Sequence, residues 1–99
     1  MKTMRFRVLL TIDAGVRSST GLPSATWEVG IRPEGTDGDM GALAAADDGE
    51  PFRPGERRRE ATLTVTDDRA EEELRTGRAF QLRRDGPIGH GVVVRRAFL

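Results

Sequence analysis

The chain has no cysteine and no tyrosine, one tryptophan and four phenylalanines. Without cysteine there can be no disulfide, no thiolate metal site and no thiol nucleophile, and nothing calls for an oxidising compartment. Lysine is almost as scarce. All of the sixteen basic residues except Lys2 are arginine. A phosphate-cradling loop of the form G-x-x-x-x-G-K-[ST] needs a lysine directly after glycine, so nucleotide hydrolysis is excluded on that ground. The glycines Gly86, Gly89 and Gly91 do not form a dinucleotide fingerprint, because no strand–helix unit carries them. Long apolar runs are missing too. No segment approaches the ~20 apolar residues of a membrane span. The start, MKTMRFRVLL, has charge but no apolar stretch of signal-peptide type. The expectation is a cytoplasmic protein with no membrane partner.

Net charge is the next thing in short supply. Sixteen bases balance sixteen acids, so there is no long-range pull on a polyanion. The distribution is uneven. From Pro33 to Phe52 there are six acids (Glu34, Asp37, Asp39, Asp47, Asp48 and Glu50) and no base. Arginines gather at 57–59, 83–84 and 95–96. The acids lack the spacing of a calcium loop and read as a solvated acidic loop rather than a metal site.

Ninety-nine residues are one domain, spanning 1–99. Such a chain buries only about 60–65% of its unfolded surface, so the core must be compact. The apolar residues that are present alternate, which is the strand period. Met4, Phe6, Val8, Leu10 and Ile12 share one face; Arg5, Arg7, Leu9 and Thr11 share the other. Asp13-Ala14-Gly15 and Ser18-Ser19-Thr20-Gly21 mark a polar loop. Trp27, Val29 and Ile31 form the inner face of a second strand that Pro33 ends. Met40 to Ala46 is ambiguous, its small residues suiting a short strand or a helical turn, and is read as a weak strand. Asp47-Asp48-Gly49-Glu50-Pro51 and Pro54-Gly55 are turns. Glu60 to Thr66 alternates Ala61, Leu63 and Val65 with threonines, and both sets favour β structure. The period then changes. Asp68, with Glu71 three residues on, has the form of a capping box for one or two helical turns. Arg78 to Arg84 is a strand with Phe80 and Leu82 inward. Asp85-Gly86-Pro87 turns it, and Ile88 to Leu99 returns as the last strand with Val92 and Val94 inward. Six short strands separated by turns indicate a sandwich or small barrel.

The later half of the chain narrows this. Pro54-Gly55-Glu56, the threonine-rich strand to Thr66, a short acidic connection and then GRAFQLRRDGPIGHGVVVRRAFL resemble the C-terminal, third β-barrel domain of elongation factor Tu. The correspondences are Pro54, Gly55, Arg78, Phe80 (displaced by one), Leu82, Arg83 or Arg84, Gly89, Gly91, Val92 and Val93. The first strand, Arg5 to Ile12, fits the opening strand of that domain in place and length. Here Asp85-Gly86-Pro87-Ile88-Gly89 is about two residues shorter than the family's glycine-rich turn, and the central G-Y-R-P segment appears as Gly30-Ile31-Arg32-Pro33. The resemblance implies an all-β fold, a small six-stranded antiparallel β-barrel. Through that turn it also implies a tRNA contact. Neither the GTPase domain nor the middle barrel of that factor is present in the sequence.

Catalytic groups are sparse. His90 is the only histidine, with no partner ligand or positioned nucleophile near it in sequence, so it reads as a side chain beside a glycine bulge. Ser18, Ser19 and Ser24 have no base within reach by sequence. Trp27 belongs to the core by its face. The expectation is therefore a binding module with no catalytic residue, no cofactor and no metal. Its candidate binding residues are Arg57, Arg58, Arg59, Arg83, Arg84, Asp85, Gly86 and His90. Arginine forks match carboxylates and phosphates, although Arg57-Arg58-Arg59 serves equally as a solvated charged guard at a strand edge. Two binding readings remain. In the first the barrel docks a partner protein or associates with itself. In the second it binds tRNA or another RNA through its arginine clusters. An enzyme comes third.

Overall fold

In a computed structural model, residues 3–16 and 25–97 are described. The loop expected at Ser18–Gly21, Ser24, and the end of the last strand at 98–99 lie outside them. The strands are β1 (Met4–Ile12), β2 (Thr26–Pro33), β3 (Met40–Ala46), β4 (Arg59–Val65), β5 (Ala79–Arg83) and β6 (Pro87–Ala97), with one short helix, α1 (Ala70–Glu73), between β4 and β5. All neighbours are antiparallel, and the sheet closes on itself in the order β1-β4-β3-β2-β5-β6. The protein is all-β, a closed six-stranded antiparallel barrel. Closure removes the free edges that an open sheet would present for aggregation. Met40–Ala46 is a full strand despite its small residues, since β2 and β4 pair with it on both sides.

The interior is apolar throughout: no polar or charged side chain among the described residues is buried. The alternating residues of β1, β2, β4 and β5 all turn inward as their period requires, with Leu10, Ile31, Leu63 and Leu82 at 0% exposure. Each end of the barrel is stoppered. At one end Ala70 and Leu74, from α1 and its C-cap, are buried. At the other, Phe52 from the β3–β4 connection is buried and lies 6.3 Å from Trp27, ring centroid to centroid. A tilted aromatic pair of this kind stabilises beyond its buried area.

Two expectations fail. In β6 the inward valine is Val93, 1% exposed, whereas Val92 is half-buried on the outside and Val94 is 44% exposed. Bulges set this phase. The register with β5 shifts between Leu82 and Arg83, and the register with β1 shifts between Arg7 and Val8, which leaves Val94 as an extra residue. Between the bulges Gly89 and Gly91 face in, because nothing larger fits. A Cβ on Gly91 would stand 2.5 Å from Phe80 Cζ, and one on Gly89 would stand 2.3 Å from the Thr11 carbonyl oxygen. The glycines make room for Phe80, Leu10 and Leu82, and the valines take the remaining phase. The second failure is the capping box. Arg69, not Asp68, is the N-cap of α1, and no side chain caps the helix. Asp67 instead accepts from the Arg69 N–H at 2.9 Å and from its guanidinium at 2.7 Å.

Candidate functional site

The antiparallel order places the β3–β4 connection and the β5–β6 turn at the same end of the barrel. All eight candidate residues lie at or near that end, but in different roles.

The arginine triplet is divided. Arg59, the first residue of β4, has a side chain only 16% exposed. Its guanidinium donates to Asp48 Oδ1 at 2.7 Å, to the Glu50 carbonyl at 2.6 Å, to the Pro51 carbonyl at 3.3 Å and to the Glu56 carboxylate. It also stands 5.3 Å over the Phe52 ring. Arg59 is thus a clamp that folds the β3–β4 connection over the barrel mouth, and it is not available as part of a binding run. The Glu56 carboxylate, then Asp48, raises the Arg59 pKa above its ordinary value. The Glu50 N–H, then Arg59, holds the Asp48 carboxyl below its usual range.

Arg57 and Arg58 are exposed and make no ion pair among the described residues. Arg58 sits in the left-handed region at φ 50°, a conformation that disfavours L-residues with a Cβ. Its N–H donates to Thr11 Oγ1 at 3.2 Å. Thr11 is opposite His90 of β6, and His90 is opposite Gln81 of β5. Arg58, Thr11, His90 and Gln81 therefore form one row across the outside of the barrel. The His90 side chain is exposed and unpartnered among the described residues.

The other cluster is mostly engaged. Asp39 joins Arg32, at 2.7 Å, to Arg83, at 3.2 Å, and Arg83 also donates to Gln81 Oε1 at 2.6 Å. Arg84 donates to the Glu28 carbonyl at 3.0 Å. Asp85 at φ 57° and Gly86 at φ 123° form the turn itself, the Asp-Gly pair being suited to positive φ. Four of the candidates thus build the hairpin and tie it to β2. The acidic run is also less solvated than its composition implies. Asp47 accepts from Arg7 at 2.7 Å and from the Thr62 hydroxyl at 2.9 Å, Asp48 is held by Arg59, and Asp39 bridges two arginines. Among the described residues no group of acids or histidine is arranged to hold a metal ion.

Neighbouring side chains absent from the candidate set share the outer wall of β1 and β6. Arg5 and Arg95 are exposed and unpaired among the described residues; Leu9 and Val92 are half-buried; Val94 is exposed. Alternation in β1 already placed Arg5, Arg7, Leu9 and Thr11 outside, so that part was legible. The exposure of Val94 follows from the bulge and had no local signal.

Two shallow grooves mark the outer surface. One, of about 610 Å³, runs over Gly30 and Gly41, which face each other across β2 and β3, with Leu43, Thr64 and Arg84 beside them. The other, of about 590 Å³, lies along β5 between Arg32 and Thr36 on one side and Pro87 and His90 on the other. Both are open to solvent and present surface rather than an enclosed chamber. Among the described residues no helix is long and apolar enough to cross a membrane. No family model matches the chain, and neither a curated protein nor a solved structure matches it.

Proposed function

We propose that this chain is a non-catalytic docking module, built on a barrel of the elongation factor Tu third-domain type, that binds a partner protein through the outer wall around Arg57, Arg58 and His90. One observation carries the reading. Arg58 holds a disfavoured backbone conformation, φ 50°, while its guanidinium and that of Arg57 have no carboxylate partner among the described residues. Arg59 beside them is fully engaged by its own loop. Strain at an exposed, unpaired cation fits a side chain displayed for a second molecule. An apolar interior leaves the outer surface as the place where recognition chemistry can occur. The balanced net charge suits a protein partner better than a polyanion.

Purification of the chain from a native lysate at low salt tests this. The expected result is a stoichiometric protein that is lost when Arg57 and Arg58 are both changed to Ser, with folding unaffected. Co-purifying RNA, with an affinity that falls at a log–log salt slope of about −0.9 per neutralised phosphate, would replace the proposal with the RNA-binding reading.

A further inference from the structure

The wall that carries Arg57 and Arg58 continues along β1 and β6 as a patterned surface. Leu9 is opposite Val92 of β6 and Glu60 of β4; Arg7 is opposite Arg95. Val94, the bulged residue, shares a small cleft with Arg7, Leu9, Asp47 and Glu60. An apolar belt of Leu9, Val92 and Val94 is therefore bounded by guanidiniums at both ends. Arg58, whose N–H donates to Thr11 Oγ1, and its chain neighbour Arg57 mark one end, and Arg5 and Arg95 mark the other. All four are exposed and make no ion pair among the described residues.

The charges are not balanced within the wall. Asp47 neutralises Arg7 at 2.7 Å, and Glu60 is the carboxylate facing the belt from β4. Arg7 and Arg95 are like charges directly opposite each other, an arrangement that destabilises a strand pair unless counter-charge is supplied. Asp47 supplies it for Arg7 alone. From Thr11 to Arg5 is six residues of strand, or about 20 Å. Val94 is one of only two large apolar side chains among the described residues that are exposed, Leu43 being the other, and it lies between the two cationic stations.

We infer that this wall receives an acidic, amphipathic protein segment, whose central apolar side chain packs on Val94 and Leu9 while carboxylates at its two ends pair with Arg57–Arg58 and Arg5–Arg95. The inference rests on the docking reading above and adds the chemistry of the partner. Charge complementarity selects this occupant. The unpaired groups are arginines, whose planar forks match carboxylates bidentately. An apolar belt between them gives a bare polyanion such as RNA nothing to bury against. A segment reaching both stations needs about thirteen residues if helical.

The test uses the full chain and a fluorescent peptide of about thirteen residues, with glutamates at both ends and leucines in the middle. A second peptide replaces the leucines with serines at the same charge, and a single-stranded RNA of equal charge serves as the third probe. Fluorescence anisotropy should show the leucine peptide binding at least about tenfold more tightly than either other probe. Val94→Asp, and Arg5→Ser with Arg95→Ser, should each weaken it by about tenfold or more. Arg75→Ser, which removes a guanidinium beyond α1 that is unpaired among the described residues, should leave it unchanged. Val94→Thr, with thermal melts of every variant, separates loss of binding from loss of fold. Equal affinity for the leucine and serine peptides, tighter binding of the RNA, or no leucine-peptide binding up to about 1 mM would each overturn the inference. So would a dimer in sedimentation equilibrium that Val94→Asp dissociates, which would make the occupant a second copy of the chain. If Arg57→Ser with Arg58→Ser abolishes capture of the native partner while the Val94, Arg5 and Arg95 variants retain it, the acidic-segment inference falls and the docking reading stands.

Discussion

Replacing Arg58 with glycine should separate stability from binding. Arg58 lies at φ 50°, where an L-residue loses about 1–2 kcal/mol to the contact between its Cβ and the following carbonyl. Glycine has no such penalty, but it adds about 0.5–1 kcal/mol of chain entropy to the unfolded state. The hydrogen bond to Thr11 Oγ1, at 3.2 Å, uses the backbone N–H and survives the change. The side chain is exposed and pairs with no carboxylate among the described residues, so its loss removes no packing. Arg58→Gly should therefore be about 0.5–1 kcal/mol more stable than the parent, raising Tm by roughly 2–8 °C for a domain of this size. Arg58→Ala, which keeps the Cβ and the strain, should be neutral. Urea unfolding at constant m-value measures both. Partner binding should weaken in both variants alike. If Arg58→Gly loses more than about 1 kcal/mol, the guanidinium contributes to the fold and is not held out for a partner. A partner bound with undiminished affinity by Arg58→Ala would likewise refute the reasoning.

Other perturbations test the core and the clamp. Phe80→Ala empties a site 2% exposed and should destabilise by about 3–5 kcal/mol in two-state denaturation; a loss under about 1 kcal/mol would contradict the packing. Gly91→Ala would put a methyl 2.5 Å from Phe80 Cζ and should destabilise by about 1–3 kcal/mol. Phe80→Leu in the same chain should recover part of that loss, and strictly additive effects would argue against the contact. Asp48 has a folded pKa below its unfolded value of 3.8, held there first by the Glu50 N–H and then by Arg59. Its contribution to stability is therefore complete above that unfolded value and is lost as pH falls through the folded one. Asp48→Asn should flatten the decline of Tm on acidification through that window, and an unchanged profile would show that the clamp contributes nothing there.

Parts of the outer wall of β1 and β6 could be read from residue order. Alternation in β1 put Arg5, Arg7, Leu9 and Thr11 outside, and the run Arg57-Arg58-Arg59 was visible as charge. The division of that run was not. Arg59 finds Asp48 and Glu50 only because the β3–β4 connection folds back over the barrel mouth. Phe52, flanked by turn residues, carries no periodic signal that it would plug the same mouth. Arg83 and Asp39 are 44 positions apart in the chain, and nothing local to either announces the other.

Residue order alone determined most of the elements. Period-two alternation placed β1 at Met4–Ile12 with no shift of boundary and set the inward faces of β1, β2, β4 and β5, whereas the small residues of Met40–Ala46 suited a strand or a helical turn until pairing with β2 and β4 decided it. The lack of cysteine and of a lysine after glycine also closed off whole classes of chemistry. Tertiary structure decided the phase of β6, the fate of each arginine and the pairing of the acids. The physical reason is one of range. Side-chain alternation is a property of a single strand, whereas a bulge is set by what the neighbouring strands leave room for. Gly89 and Gly91 face inward because Thr11, Phe80 and Leu10 already occupy the space a Cβ would need, and that choice turns Val94 out to the surface.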